Sequence, residues 1–349
     1  MAKRARSEEV EETDRIEGFP HPRETFRLIG HDEALARAAR AIRSGRPPQG
    51  WLLAGPPGIG KATFAYRMSR YLLRYGATDA GPEDLSLAPN DPVSLQLNAG
   101  AHPGLLVLKR GLHPKTGKLM TETSVDVIRR LSGFFGMTSG AGGWRVAIVD
   151  TADEMSDQAA NALLKALEEP PARSMLMLLS NAPGKLLPTI RSRCQRLDLR
   201  PLDESVLATE LIQHLPKMKD ADRLVVAKLA GGSLGAALTL ADEDTLALAR
   251  DAARTVNDAA VPNVPAVFAL ADRVGRASDR LPMFGGFLIQ ALEERIRVRA
   301  RAEGAAGLRP WIEALEQVRA HFDRADALHL EPRQTIVSSI RAIAQASRY

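Results

Sequence analysis

The sequence predicts an α/β fold: a parallel sheet with helices on both faces, followed by an all-helical C-terminal part. Up to about residue 200, short apolar runs alternate with stretches of helical periodicity, as in a sheet whose strands are joined by crossover helices. The first of those runs empties directly into a glycine-rich loop that opens a helix. Beyond residue 200 the strand signals fade, and Ala- and Leu-rich helical segments continue through the 349-residue chain.

Taken in order, residues 26–44 carry Leu35, Ala38, Ala39 and Ile42 at helical spacing, with Asp32 as a capping candidate. Gly45-Arg-Pro-Pro-Gln-Gly50 ends that helix, and 51–54 is a buried strand. Phe64, Met68, Tyr71 and Leu72 give 62–75 a helical face, whereas 76–101, rich in Pro, Asp, Asn and Gly, is expected as a long surface insertion. A second strand follows at 105–108, a turn-rich excursion at 111–118 and a helix at 125–135. Gly140-Ala-Gly-Gly143 leads into a strand that ends on the carboxylate of Asp150. A helix over 156–167, closed by Glu168-Glu169-Pro170-Pro171, precedes the strand 174–179, which runs into Ser180-Asn181. Pro201, Gly231-Gly232 and Val261-Pro-Asn-Val-Pro265 punctuate the helical part. The expected organisation is a charged tail over 1–20, an α/β P-loop core over 21–200, a small helical lid over 201–243 and a helical domain over 244–349.

Composition narrows the function classes. Cys194 is the one cysteine, which excludes an intramolecular disulfide or a cysteine-built zinc module and fits a reducing cytosol. The seven histidines show no H-x-x-x-H spacing, so no metal site is expected. A net charge of +5 permits contact with nucleic acid without specifying it. The mixed-charge N-terminal stretch, with no apolar segment after it, is expected as a solvated tail and not a signal peptide. The longest apolar runs are too short to span a bilayer, and a soluble, cytoplasmic protein without membrane contact is expected.

The loop is Gly55-Pro-Pro-Gly58-Ile-Gly60-Lys61-Ala62-Thr63. Glycines let successive N–H groups curl around phosphate oxygens, the lysine reaches the terminal phosphates, and a Ser or Thr hydroxyl after the lysine holds Mg²⁺. Here that last position is Ala62, whose methyl cannot ligate a metal. Thr63 is rotated about 100° along the helix and does not replace it. Asp150 stands where P-loop proteins keep a Mg²⁺-supporting aspartate at a strand's end, but Thr151 follows it where many ATPases have a water-activating glutamate. Asp153 and Glu154 come later and have no assigned aim. From the residues alone, an ATP site and a ligand-free strand-to-helix turn both stay open.

Asn161-Ala-Leu-Leu-Lys165-Ala-Leu-Glu168-Glu169-Pro170-Pro171, followed by Ser192-Arg193-Cys194, resembles the bacterial clamp-loader ATPase family of the AAA+ class. The resemblance runs from about Phe26 to the C-terminus, where Ala325-Asp326-Ala327-Leu328-His329-Leu330 fits as well. It implies an AAA+ core, a helical lid, a collar-forming C-terminal domain, and a hetero-oligomer that loads the sliding clamp of DNA polymerase III onto primed DNA. It also implies that Arg193 acts in trans on the ATP of a neighbouring motor subunit, and that Asn181 matches the first sensor of the family. Hydrolysing motors carry a P-loop Ser/Thr, a glutamate after the strand-end Asp and a lid arginine. Here these positions read Ala62, Thr151 and Gly235. The departures favour the stator subunit over an ATP-hydrolysing motor, which is the alternative, and the cysteine-free insertion implies no zinc.

For the other polar groups the bland readings are preferred. Glu168 and Glu169 form an acidic helix end that packs against a neighbour. Arg295, Arg297, Arg299 and Arg301 fall on two stripes of one helix and are expected as a solvated face. Cys194 is expected as a small buried apolar residue.

Overall fold

The structure, a computed structural model, describes residues 15–111, 119–136, 143–260, 263–277, 280–304, 307–328 and 330–348. The charged stretch through residue 14, the excursion over 112–118, the glycine run through residue 142, Val261, Pro262, His113 and His329 lie outside the described residues.

Five strands, β1 (Gly50–Ala54), β2 (Leu105–Leu108), β3 (Arg145–Val149), β4 (Ser174–Ser180) and β5 (Gln195–Asp198), form one sheet in the order β2-β3-β4-β1-β5. Every pairing is parallel. The helices of this part are α1 (Asp32–Arg43), α2 (Lys61–Tyr75), α3 (Pro92–Asn98), α4 (Val125–Gly136), α5 (Asp157–Glu168), α6 (Pro188–Arg193) and α7 (Glu204–His214). The remainder is helical: α8 (Asp220–Leu229), α9 (Leu234–Thr239), α10 (Glu243–Asn257), α11 (Val264–Val274), α12 (Arg280–Glu303), α13 (Arg309–Leu328) and α14 (Pro332–Ala346).

The strand period of two divides the sheet's side chains between two cores. Trp51, Leu53, Val146, Ile148, Met175 and Met177 pack with Ala38, Ile42, Phe64 and Met68 of α1 and α2. Their alternates Leu52, Ala147, Val149, Leu176 and Leu178 pack on the other face with Ile128, Leu131, Leu163 and Ile190 of α4, α5 and α6. Both faces are covered, which is why the strands read as unbroken apolar runs. This is the parallel sheet with helices on both faces that the sequence predicts.

Two elements depart from the sequence reading. The insertion over 76–101 contains α3, whose Asp91 cap accepts from the Val93 N–H and whose Pro92 occupies the first turn. The residues read there as loop formers are partly helix-start chemistry, and Leu85 and Leu97 are buried. β5 was not expected: as an edge strand it buries Leu197 and exposes Gln195, Arg196 and Asp198, so its apolar signal is one residue long.

The chain divides into two compact units, one comprising the described residues of Met1–His214 with Ala230–Leu238, the other Leu215–Leu229 with Thr239–Tyr349. The 201–243 segment therefore contributes to both. In the second unit Leu248, Ala252, Phe284, Leu288, Leu292, Trp311, Val318 and Ile340 form one core. Its arginine pattern is split: Arg295 and Arg299 lie over the buried Trp311 ring at 5.4 and 5.8 Å, while Arg297 and Arg301 are exposed. Among the described residues no helix is long and apolar enough to cross a membrane.

Candidate functional site

The P-loop lies at the carboxyl end of β1, at the point where the chain leaves a central strand for the far edge of the sheet, and ligands bind open α/β sheets at such a switch point. Gly55 extends the strand ladder, its N–H donating to the Ser180 carbonyl at 3.1 Å. Gly58 and Gly60 then take φ of 74° and 104°, conformations closed to most side chains, and turn the chain into α2. His31 Nε2 lies 2.8 Å from the Ile59 carbonyl and ties the start of α1 to the loop.

Gly58, Gly60, Lys61, Thr63, Asp150 and Asn181 line one cavity of about 490 Å³, together with Ala62 and Thr151. Gly55 lies at the root of the loop. Arg193 is not part of this cavity; it sits on α6. An N-terminal arm including Phe26, Leu28 and Ile29 supplies an apolar wall. The arm is held by Arg70, a guanidinium only 2% exposed that bonds the Arg23 carbonyl and stacks on the Phe26 ring at 4.1 Å. Burial lowers its pKa to about 10.

Lys61 is folded back on the loop. Its ammonium donates to the carbonyls of Gly55 at 2.7 Å and Pro56 at 2.6 Å, and to Asn181 Oδ1 at 2.7 Å. Its three donors are thereby used. Burial pushes its pKa down to about 8, against an opposing pull from Asp150 and Asp153.

Thr151 adopts a left-handed conformation, φ 49° and ψ 53°, and its N–H is held by Asp150 Oδ1 at 2.9 Å. Asp153 accepts from the N–H groups of Asn181 at 2.9 Å and Ala182 at 3.1 Å, so it fixes the loop after β4. Glu154 is paired with Arg110 at 2.8 Å. Both acids that follow Thr151 thus have structural partners.

The start of α9 and the residue before it pack on the loop. The Gly235 N–H donates to the Gly58 carbonyl at 2.8 Å, and the Ser233 hydroxyl, buried, to the Pro57 carbonyl at 3.0 Å. Sequence reasoning passed over Ser233 and the 16–29 arm, and left Asp153 without an aim. Gly231-Gly232 before Ser233 was the available signal.

Arg193 ends α6 and is exposed, with Nη2 2.9 Å from Glu168 Oε1 and Nη1 donating to the Thr189 carbonyl at 3.1 Å. Cys194 beside it packs against the core below the sheet, and burial raises its thiol pKa to about 12.

The parallel sheet, the glycine loop and the strand-end aspartate define a P-loop α/β module, one in which Ala62 stands at the metal-ligating hydroxyl's position and Thr151 follows Asp150. The family model described as DNA polymerase III, delta subunit, matches residues 30–203, and this segment is similar to that family. DNA polymerase III subunit delta' of Escherichia coli K12 is 34% identical over 204 residues, 58% of each chain. The delta' subunit of Pseudomonas aeruginosa is 36% identical over 185 residues, 52% of each chain. DNA polymerase III subunit gamma/tau of Mycobacterium tuberculosis is 30% identical over 228 residues, 62% of this chain and 36% of that one. The chain thus spans about half the length of the delta' relatives, and less of gamma/tau.

Proposed function

We propose that this chain is the delta'-type stator of a DNA polymerase III clamp loader, and that it supplies Arg193 in trans to the ATP of a neighbouring gamma/tau-type motor. The observation that carries the reading is a division of parts. The groups a motor needs for its own hydrolysis read Ala62, Thr151 and Gly235, while Arg193 stands exposed at the end of α6. A guanidinium brought to a γ-phosphate stabilises charge developing in the transition state and can be worth ~10³–10⁵ in rate. Delta, the sliding clamp and primed DNA are the further partners of that assembly.

The chain's own loop fits a phosphate and not a metal. Gly55, Gly58, Gly60, Lys61 and Thr63 would hold the phosphates of ATP, with Asp150 and Asn181 at the rim, while Ala62 offers no oxygen to Mg²⁺. A bound nucleotide would supply negative charge for Lys61 to neutralise. Thr151 provides no carboxylate to take a proton from water, so hydrolysis at this loop is not proposed.

Steady-state ATPase measurements test the reading. The isolated chain is expected to turn over no ATP, and the reconstituted complex with clamp and primed DNA to lose at least tenfold in rate on Arg193→Ala. Turnover by the isolated chain that survives Arg193→Ala and vanishes in Lys61→Ala would make it a motor instead.

A further inference from the structure

The two sequence motifs of this chain meet in space. Asn161, Lys165 and Glu168 share one exposed face of α5, at the four- and three-residue spacing of a helix stripe. Glu168, the last residue of α5, ends that stripe on the guanidinium of Arg193, the last residue of α6.

The pair does little for stability. The side chains are 39% and 47% exposed, and ion pairs with that much solvent contribute about 0–1 kcal/mol. A carboxylate in the last turn of a helix also faces the negative end of the helix dipole, which disfavours it there. What the pair does provide is direction. Glu168 and the Thr189 carbonyl engage two of the five N–H donors of Arg193 and leave three for another acceptor.

The ends of both helices pack on the P-loop strand itself, α5 through the Leu167 side chain and α6 through the Arg193 carbonyl. A Cβ on Gly50, the first residue of β1, would come 2.9 Å from Leu167 Cδ2 and 3.1 Å from the Arg193 carbonyl oxygen. Glycine there lets the ends of α5 and α6 close onto the strand, so the acid and the arginine are set by one fixed point.

We propose that Glu168 is a positioning residue for Arg193: it holds the guanidinium oriented for the phosphate of the neighbouring subunit. This rests on the trans-acting role of Arg193. Because displacing a reacting group by about 1 Å can cost ~10²-fold in rate, loss of the hold should lower turnover without weakening substrate binding.

The test uses the full clamp-loader complex with clamp, primed DNA and ATP, and reads kcat and KM for wild type, Glu168→Ala, Glu168→Gln, Arg193→Ala and the Glu168→Ala/Arg193→Ala double variant. The expected result is a fall in kcat of about tenfold for Glu168→Ala at unchanged KM. Glu168→Gln, which keeps an oxygen acceptor, should recover most of it, and the double variant should be no slower than Arg193→Ala. The urea midpoint of the isolated chain should be the same for Glu168→Ala as for wild type; a lowered midpoint with additive kcat losses would mean a structural role and overturn the proposal. So would a Glu168→Ala complex as fast as wild type, or faster, while Arg193→Ala is slow. A silent Arg193→Ala would overturn the trans role itself, and the positioning role with it.

Discussion

Gly235 and Gly58 meet backbone to backbone: the Gly235 N–H donates to the Gly58 carbonyl at 2.8 Å, and a Cβ on Gly235 would stand 2.7 Å from the Gly58 Cα. The position at which a clamp-loader motor is expected to carry an arginine is therefore closed to any side chain here. The small residue permits the first turn of α9 to rest on the phosphate loop, with Ser233 bonded to Pro57 beside it.

Gly235→Ala consequently sets helix propensity against overpacking. Alanine in a helix gains about 1 kcal/mol over glycine, whereas forcing an atom against backbone costs ~1–3 kcal/mol. The expected net result is a lowered urea midpoint. Gly133→Ala, on an exposed face of α4 with nothing within 4 Å of the new Cβ, isolates the propensity term and should raise the midpoint, by an unfolding free energy of about 0.5–1 kcal/mol. If both variants shift alike, the contact between α9 and the loop does not constrain Gly235.

Lys61 gives a signed pH dependence. Its folded pKa is about 8 against the ordinary 10.5, with burial the leading cause. Below pH 8 both states hold the proton and the folded chain bears the full desolvation penalty. Between about 8 and 10.5 the unfolded chain keeps a proton the folded chain has released, so this group's contribution to stability rises with pH across that window. The urea midpoint of wild type relative to Lys61→Met should therefore climb between pH 7.5 and 10, and a flat difference would refute the depressed pKa.

The thiol of Cys194 should be inert in the folded chain. With its pKa raised to about 12 by burial, the thiolate fraction at pH 8 is ~10⁻⁴, against roughly a quarter for a free cysteine. Labelling by a disulfide reagent is expected to run on the order of a thousandfold slower than for free cysteine, and to become fast in urea. Labelling of the native chain at the free-cysteine rate would contradict this environment.

The fold was legible where apolar period and glycine punctuation agree. Trp51-Leu-Leu-Ala54 and Met175–Leu179 are covered on both faces, so every residue in them reports burial. β5 escaped because an edge strand with one buried leucine has no period to detect, and α3 because Asp91 and Pro92 serve loops and helix starts alike. The cavity was legible in its loop and in the two strand-end residues. Gly58, Gly60, Lys61, Asp150 and Asn181 do line one cavity. The Glu168–Arg193 pair was not legible, since nothing in two separate motifs states that the ends of α5 and α6 converge. Nor was Asp153, whose carboxylate serves the backbone of Asn181 and Ala182 instead of a ligand.

Ala62 leads to the last prediction. In a P-loop with a hydroxyl at this position the metal bridges protein and phosphate, so removing Mg²⁺ removes part of the grip. In this chain the glycine loop and Lys61 are retained, so Lys61 would have to exchange its bonds to Gly55, Pro56 and Asn181 for phosphate, and the lost contact is to the metal alone. Binding of labelled ATP is accordingly expected to be the same with Mg²⁺ and with EDTA. Ala62→Thr restores the oxygen at its proper place on the first turn of α2 and should make binding Mg²⁺-dependent, by about tenfold, or ~1.4 kcal/mol. The variant also separates Ala62 from Thr63, which lines the same cavity. If Thr63 already supplied a metal ligand, wild type would show the Mg²⁺ dependence and Thr63→Ala would abolish it. An affinity that depends on Mg²⁺ in wild type and survives Thr63→Ala would mean that Asp150 alone holds the metal, and would return the loop to the ordinary P-loop chemistry that Ala62 argues against.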